Sequence, residues 1–508
     1  MVAMDNARKS ILVSIIILAV SFAVMYLIRI PYNGVGESII DAWCNLRGGC
    51  GSPLLINSTR SIIEQGASLG FFLVVIALTV ISMEYRYYAA LLGVSAIVFL
   101  GVMSPQLMVG SVEWDLILFL IGSMVLAYIL TAMRVFEYLA IKVLEASRGR
   151  PVLLVTFLSL LSWFLAMAVG EVTSITYVLM LVFDIYRITR YDVKPLIILS
   201  VLATNTGSVA LPVGNPIGVY LAFTANLSIT SFIIKALPLS LFTLGLLIAL
   251  FSMVERKYLS ELKQRANIEK ATKMATSFYT SLSHADYSRI KEGLAILISF
   301  LFLVGISDHL SRLISLLGGL VVDPHSLLAF IPYLLIIVSG LIFGVSRMGE
   351  ALEKGVEWPS IIFFIALFML GYSLSWSGTA SKLAYLTVLM SSWGGAISFQ
   401  FLSTVILVLS AMLSSVLDNL SVIVALTPVA KTIVSMGGPT AVYWALLYGG
   451  VFGGNYTPIG SSANIIAVGL SEKNRINIGW AEWLKIALLT TTTQIIVSIA
   501  WVLTVGSW

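Results

Sequence analysis

Apolar stretches about as long as a bilayer is thick recur from one end of this chain to the other. They lie near residues 10–30, 66–84, 88–106, 114–133, 151–169, 172–186, 194–228, 235–254, 293–307, 326–346, 357–377, 399–417, 420–434, 440–472 and 480–505. A helix needs about 20 apolar residues to cross the hydrocarbon core. The 508 residues are 59% hydrophobic and 11% charged, whereas soluble domains carry roughly a quarter charged residues. The surplus apolar surface therefore faces lipid. The expected fold class is an all-α polytopic membrane protein, in contact with the lipid bilayer of the plasma membrane. The net charge of +5 is read as cytoplasmic loop charge, not as a nucleic-acid footprint.

The first run, Ser10–Ile28, follows Arg8 and Lys9 and lacks a small-residue cleavage site, so it is read as a spanning anchor and not a signal peptide. Orientation follows from charge. With the N-terminus cytoplasmic, and 151–186 and 399–434 taken as hairpins whose ends share a side, most Lys and Arg fall on the cytoplasmic side and the C-terminus is external. Parity leaves open whether each hairpin crosses the membrane or enters and returns. The stretches Arg134–Arg150 and Lys382–Ser398 read as amphipathic surface helices bracing the hairpins. The polar stretch Glu255–Glu292 reads as a cytoplasmic linker. Cys44 and Cys50, the two cysteines, fall in an external loop (31–65), where a disulfide is preferred over two free thiols. Asn57 in "NST" is taken as a chance sequon.

The halves of the chain resemble each other. "VEWDLILFLIGSMVLAYIL" from Val112 matches "VEWPSIIFFIALFMLGYSL" from Val356, an offset of 244. "SWFLAMAVGEVTSI" from Ser162 matches "SAMLSSVLDNLSVI" from Ser410, an offset of 248. "GSVALPVGNPIG" from Gly207 matches "GGNYTPIGSSAN" from Gly453, an offset of 246. The first Val-Glu-Trp starts outside and the second inside, so the repeats are expected to be inverted, as in secondary transporters with binding sites near the midplane. The expected organisation is 1–110, N-terminal membrane helices; 111–254, first repeat; 255–292, linker; 293–355, scaffold helices; and 356–508, second repeat with the C-terminal helix.

Two runs are broken at matching places. Pro212 and Pro216 lack an N–H and disfavour helix before them, and Gly207, Gly214 and Gly218 admit unusual backbone. Unwound backbone at membrane depth is tolerable only when protein or a water-filled cavity surrounds it. It frees carbonyls for a cation and half-helix N-termini for an anion. Candidate ligands are Thr204, Asn205, Thr206, Ser208, Gly214 and Asn215 at the first break, and Asn455, Thr457, Ser461, Ser462 and Asn464 at the second. Oxygen-only ligation suits sodium or an oxyanion and no soft metal. The plainer role for each is to satisfy the broken backbone.

Each hairpin carries an acid at its tip: Glu171 in "AVGEVTS", with Thr173 beside it, and Asp418 in "SVLDNLS", with Asn419 and Ser421. Intramembrane acids are costly and mark ion or proton pathways. Both are assigned as coupling acids, binding sodium or exchanging a proton. A capping role is compatible with this. Asp115 and Asp184 read as interfacial. No G-x-x-x-x-G-K-[ST] phosphate loop occurs. His284, His309 and His325 are scattered through predicted loops without ligand spacing, and no catalytic constellation or cofactor is expected.

At these residues the chain resembles the ion transporter superfamily of arsenite permeases, sodium–proton antiporters and citrate-type carboxylate transporters. "SSVLDNLSVIVALTPV" followed by "GGNYTPIGSSANIIAVG" is similar to its Asp-Asn hairpin tip and its broken helix. The resemblance implies a re-entrant hairpin and a broken helix in each repeat, a homodimer, and elevator-like movement against a scaffold. It places the site at 166–174 with 204–218, and 414–422 with 453–464. Here Gly170–Glu171 replaces the Asp-Asn at the first tip, Ser-Asn-Thr tips are absent, and Gly218 pairs with Asn464. The expected function is proton- or sodium-coupled secondary transport of a small inorganic or organic anion. The alternatives are a sodium–proton antiporter, an ion channel and, more remotely, a membrane-embedded enzyme.

Overall fold

Proline opens many of the helices, where its missing N–H leaves nothing orphaned: Pro151, Pro195, Pro216, Pro324 and Pro359 all stand in first turns. The computed structural model describes residues 2–81, 85–265, 284–318, 321–343, 346–391 and 399–504. In chain order the helices are α1 (Val2–Leu27), α2 (Gly34–Leu46), α3 (Thr59–Ile81), α4 (Arg86–Phe99), α5 (Pro105–Gly110), α6 (Trp114–Ala132), α7 (Val135–Ser147), α8 (Pro151–Val169), α9 (Glu171–Thr189), α10 (Lys194–Ser208) and α11 (Pro216–Thr224). Then follow α12 (Ile229–Val254), with a π-helical turn at Phe232–Ala236, α13 (Arg256–Arg265), α14 (His284–Gly305), α15 (Ser307–Gly318), α16 (Pro324–Phe343) and α17 (Ser346–Gly355). The last are α18 (Trp358–Ser377), α19 (Thr379–Ser391), α20 (Phe399–Ser414), α21 (Asn419–Ser435), α22 (Ala441–Gly453), α23 (Ser462–Lys473) and α24 (Trp480–Thr504).

No strand occurs among the described residues, and eight of the helices are long and apolar enough to cross a membrane; α14 and α15, bent by 69°, make a ninth if they form one span. The fifteen apolar runs outnumber them because several runs fold into shorter pieces, notably the two broken ones. The run 88–106 stops at Phe99: the chain turns through Gly101, at φ 70°, before the short α5. The expected loop 31–65 is largely helical. It contains α2 and a 3-10 turn at Pro53–Asn57, and α3 already starts at Thr59. His284, His309 and His325 lie on α14, α15 and α16, not in loops. Of the linker, residues 266–283 lie outside the described residues, as do 392–398 of the second surface stretch; both ends of the linker are helical.

Two similar units occupy the centre. The first is α8–α9–α10–α11 and the second α20–α21–α22–α23. In each, the first hairpin helix lies along the first half of the broken helix, α8 on α10 and α20 on α22. The approach is close enough to need glycine. A β-carbon at Gly207 would run into the Trp163 carbonyl, and one at Gly453 into the backbone of Ala411. These are the same paired positions that the internal sequence match aligns. The units interlock crosswise, α23 packing on α9 and α11 on α21, while α24 covers α10, α20 and α22. α7 braces α8 and α9, and α19 braces α20 and α21. α1, α3, α4 and α18 stack beside this core, and α6 packs on α16.

Cys44 and Cys50 are disulfide-bonded, with their Cα atoms 5.1 Å apart. The bond closes α2 over the end of α18, where Trp43 Nε1 donates to the Trp376 carbonyl at 3.0 Å and Arg47 lies over both indole rings. Asn57 is committed internally: its Nδ2 donates to the Ile30 carbonyl at 2.8 Å.

Candidate functional site

The two breaks have the same local build. At the first, α10 ends at Ser208, a 3-10 turn spans Pro212–Gly214, and Asn215 caps α11 by accepting from Gly218 N at 2.6 Å. At the second, a 3-10 turn spans Gly454–Tyr456 and Ser461 caps α23 by accepting from Asn464 N at 3.3 Å. Extended residues stand at matching positions of the two breaks, Leu211 (φ −135°, ψ 155°) with Thr457 (−126°, 158°) and Asn215 (−159°, 163°) with Ser461 (−147°, 160°), although they flank the 3-10 turn at the first break and both follow it at the second. A side-chain oxygen thus meets an orphan N–H of each half-helix.

The breaks are tied to each other by amides. Asn205 Nδ2 donates to Asn455 Oδ1 at 2.7 Å, to Asn464 Oδ1 at 2.9 Å and to the Ser461 hydroxyl at 3.1 Å. Asn464 Nδ2 donates to the carbonyls of Gly454 and Thr457, at 2.8 and 2.7 Å, holding the second break open. Asn205, Asn455, Ser461 and Asn464 have no exposure, so their hydrogen bonds matter doubly in a low-dielectric interior. In this conformation their oxygens are engaged by protein.

The acids sit at helix N-termini. Gly170, at φ 92°, turns α8 into α9, and Glu171 is the first residue of α9. Asp418 caps α21, its Oδ2 accepting from Ser421 N and Oγ, both at 3.2 Å. The hairpins bring the two carboxylates within Coulombic reach of each other, and Ser208, beside Glu171, donates its hydroxyl to the Asn205 carbonyl at 2.9 Å. Both acids are buried. Glu171 Oε2 and Asn419 Nδ2 are buried polar atoms with no partner. They are the acceptor and donor left open here.

The remaining candidates spread around this centre. Ser208 Oγ accepts from Asn215 Nδ2 at 2.9 Å, and Gly214 presents its carbonyl toward Gly170. Thr204 lies 3.5 Å from Ser174, hydroxyl to hydroxyl. Thr206 donates back to the Leu202 carbonyl at 2.7 Å, and Thr457 bonds the Ser415 carbonyl at 2.5 Å, fastening the second break to its hairpin. Thr173 and Ser462 are half-buried on the first turns of α9 and α23. Sequence reasoning missed Gln494. This buried α24 residue donates from Nε2 to Thr206 Oγ1 at 2.8 Å and accepts from Asn455 Nδ2 at 3.2 Å, bridging the broken helices. The signal was there: a glutamine inside the apolar run "TTTTQIIVSIA" is a costly polar group at membrane depth.

Four helix N-termini, those of α9, α11, α21 and α23, are therefore gathered about the two breaks. Their partial positive charges favour an anion, while the two carboxylates favour a cation. Comparison with known proteins accords with this: the sequence profile of the family described as "Citrate transporter" matches residues 71–449. The chain belongs to that family. Citrate transporter family proteins are secondary transporters of the ion transporter superfamily, so the resemblance to that superfamily holds, and membership points to a transporter and not an enzyme. The matched segment takes in both acids and the first break and ends in α22, just before the second. An uncharacterised transporter of Mycobacterium bovis is 28% identical over 419 residues, covering 80% of this chain and 90% of its own. One from Synechocystis is 24% identical over 459 residues, covering 86% and 97%. The human P protein is 23% identical over 480 residues, covering 81% of this chain and 56% of its own.

Proposed function

We propose that this citrate transporter family member is a secondary active transporter of a small inorganic or organic anion, of arsenite-type oxyanion or carboxylate class, coupled to protons or sodium. One observation carries the reading: buried acids from two hairpins, Glu171 and Asp418, lie within Coulombic reach of each other at a centre ringed by helix N-termini. Two carboxylates in a low-dielectric site repel, and a bound cation relieves that repulsion. The N-termini then take the anion, so that each ion's binding favours the other's. The ligand sites are the two breaks with their tips, in two inverted repeats whose hairpins re-enter from opposite sides. The interlocked units move together past the remaining helices in an elevator-like exchange. The protein works as a homodimer in the plasma membrane, with its N-terminus cytoplasmic and its C-terminus external.

The test is uptake in proteoliposomes under an imposed sodium or proton gradient, with a carboxylate as the first anion because the family's description names citrate. Saturable, gradient-dependent uptake is the expected result and separates a carrier from a channel. The paired acids also favour a second reading, sodium–proton antiport without an anion. Sodium-driven proton movement in the absence of any anion would overturn the first reading in favour of the second.

A further inference from the structure

Away from the centre, the far ends of α9 and α23 finish side by side, and an open cleft of about 420 Å³ lies between them, lined by Tyr186, Arg190, Asp192, Lys194, Arg475 and Asn477. Three of these are cations. Lys194 is paired with Glu482 at 2.7 Å, and Asp192, whose Oδ1 accepts from Lys194 N at 3.1 Å, contributes one negative charge to the lining. Arg190 and Arg475 are different: among the described residues neither has a carboxylate at ion-pairing distance, and the Arg190 guanidinium lies over the Tyr186 ring, 6.0 Å from its centroid. Both take left-handed backbone, φ 55° and 62°, in the turns that end their helices. A basic residue at a helix C-terminus offsets the dipole there. That accounts for one arginine on each helix, but not for two unpaired guanidinium groups lining one cleft.

We propose that this cleft binds a phosphate-type anion, from an anionic lipid headgroup or from soluble phosphate, and that the occupant clamps the end of α9 to the end of α23. Arginine's planar fork matches phosphate oxygens, and basic pockets between membrane helices on the cytoplasmic side take anionic headgroups. Occupancy bears on transport because α9 begins at Glu171 and α23 begins at the Ser461 cap. A ligand joining their other ends holds the first hairpin to the second break.

Thermal unfolding of the purified 508-residue chain tests this independently of transport. Nanodiscs of neutral phosphatidylcholine are compared with nanodiscs containing phosphatidylglycerol, each with and without inorganic pyrophosphate. The native protein is expected to gain about 2–4 °C from at least one source. A gain from phosphatidylglycerol assigns the site to lipid, and one from pyrophosphate to a soluble anion. Arg190→Gln/Arg475→Gln is expected to lose the gain while unfolding at the native temperature in neutral lipid alone. An equal gain in both proteins, or none in the native one, overturns the proposal. Should the double variant not fold, Arg475→Gln alone, on an exposed turn, is expected to lose about half of the gain.

Discussion

Asp418 and Glu171 do different local work although both stand where a helix begins. Asp418 holds the first turn of α21 through Ser421, whereas Glu171 leaves Oε2 without a partner. Asparagine also caps helices well, so Asp418→Asn keeps the cap and removes only the charge. Gradient-driven uptake is expected to vanish in this variant and in Glu171→Gln, with thermal unfolding close to native; native uptake in Asp418→Asn would remove that acid from the mechanism. Gln494→Leu tests something else. It leaves Asn455 Nδ2 buried without its acceptor, a loss of about 1–3 kcal/mol that should appear as a lower unfolding temperature along with weaker transport. The acids were legible because a lone charge in an apolar run is too costly to persist without a use. Which oxygens are open was not legible, since Asn205, Asn455, Ser461 and Asn464 are engaged by one another across the fold.

At the scale of elements, the breaks depend on two helices touching backbone to backbone. A side chain at Gly207 or Gly453 collides with a neighbouring helix, while a β-carbon at Gly245 in α12 meets nothing within 4 Å. Gly207→Val and Gly453→Val are each expected to lose about 1–3 kcal/mol or more, and Gly245→Ala to lose none, as read by thermal unfolding in detergent. The prolines announced these breaks in the sequence because their backbone limits are local, whereas Gly207 and Gly453 keep helical backbone and serve the close approach of a neighbouring helix. Other boundaries were hidden. Hydropathy runs through the turn at Gly101 without a change, and the α2 lid reads as a loop because its helix is held by Trp43, Arg47 and the disulfide, contacts distant in sequence.

For the molecule as a whole, the basic face that holds Arg190, Lys194 and Arg475 should lie in the cytoplasm and the α2 lid outside. Labelling tests this in a Cys44→Ser/Cys50→Ser background. Leu54→Cys, at an exposed position near the lid, is expected to react with an impermeant maleimide in intact cells, and Arg475→Cys only after permeabilisation. The reverse pattern would invert the topology. The sequence by itself determined that the chain lives in a membrane, that its halves resemble each other in sequence, and where its helices break and its acids fall. These follow from composition, periodicity and the backbone limits of proline and glycine, all of which act over a few residues. Only the tertiary structure decided that the two breaks are knotted together, that Gln494 joins them, and that the tips of separate hairpins approach each other. Those contacts join residues 39 to 288 positions apart, and their energy depends on burial and geometry that no local pattern encodes.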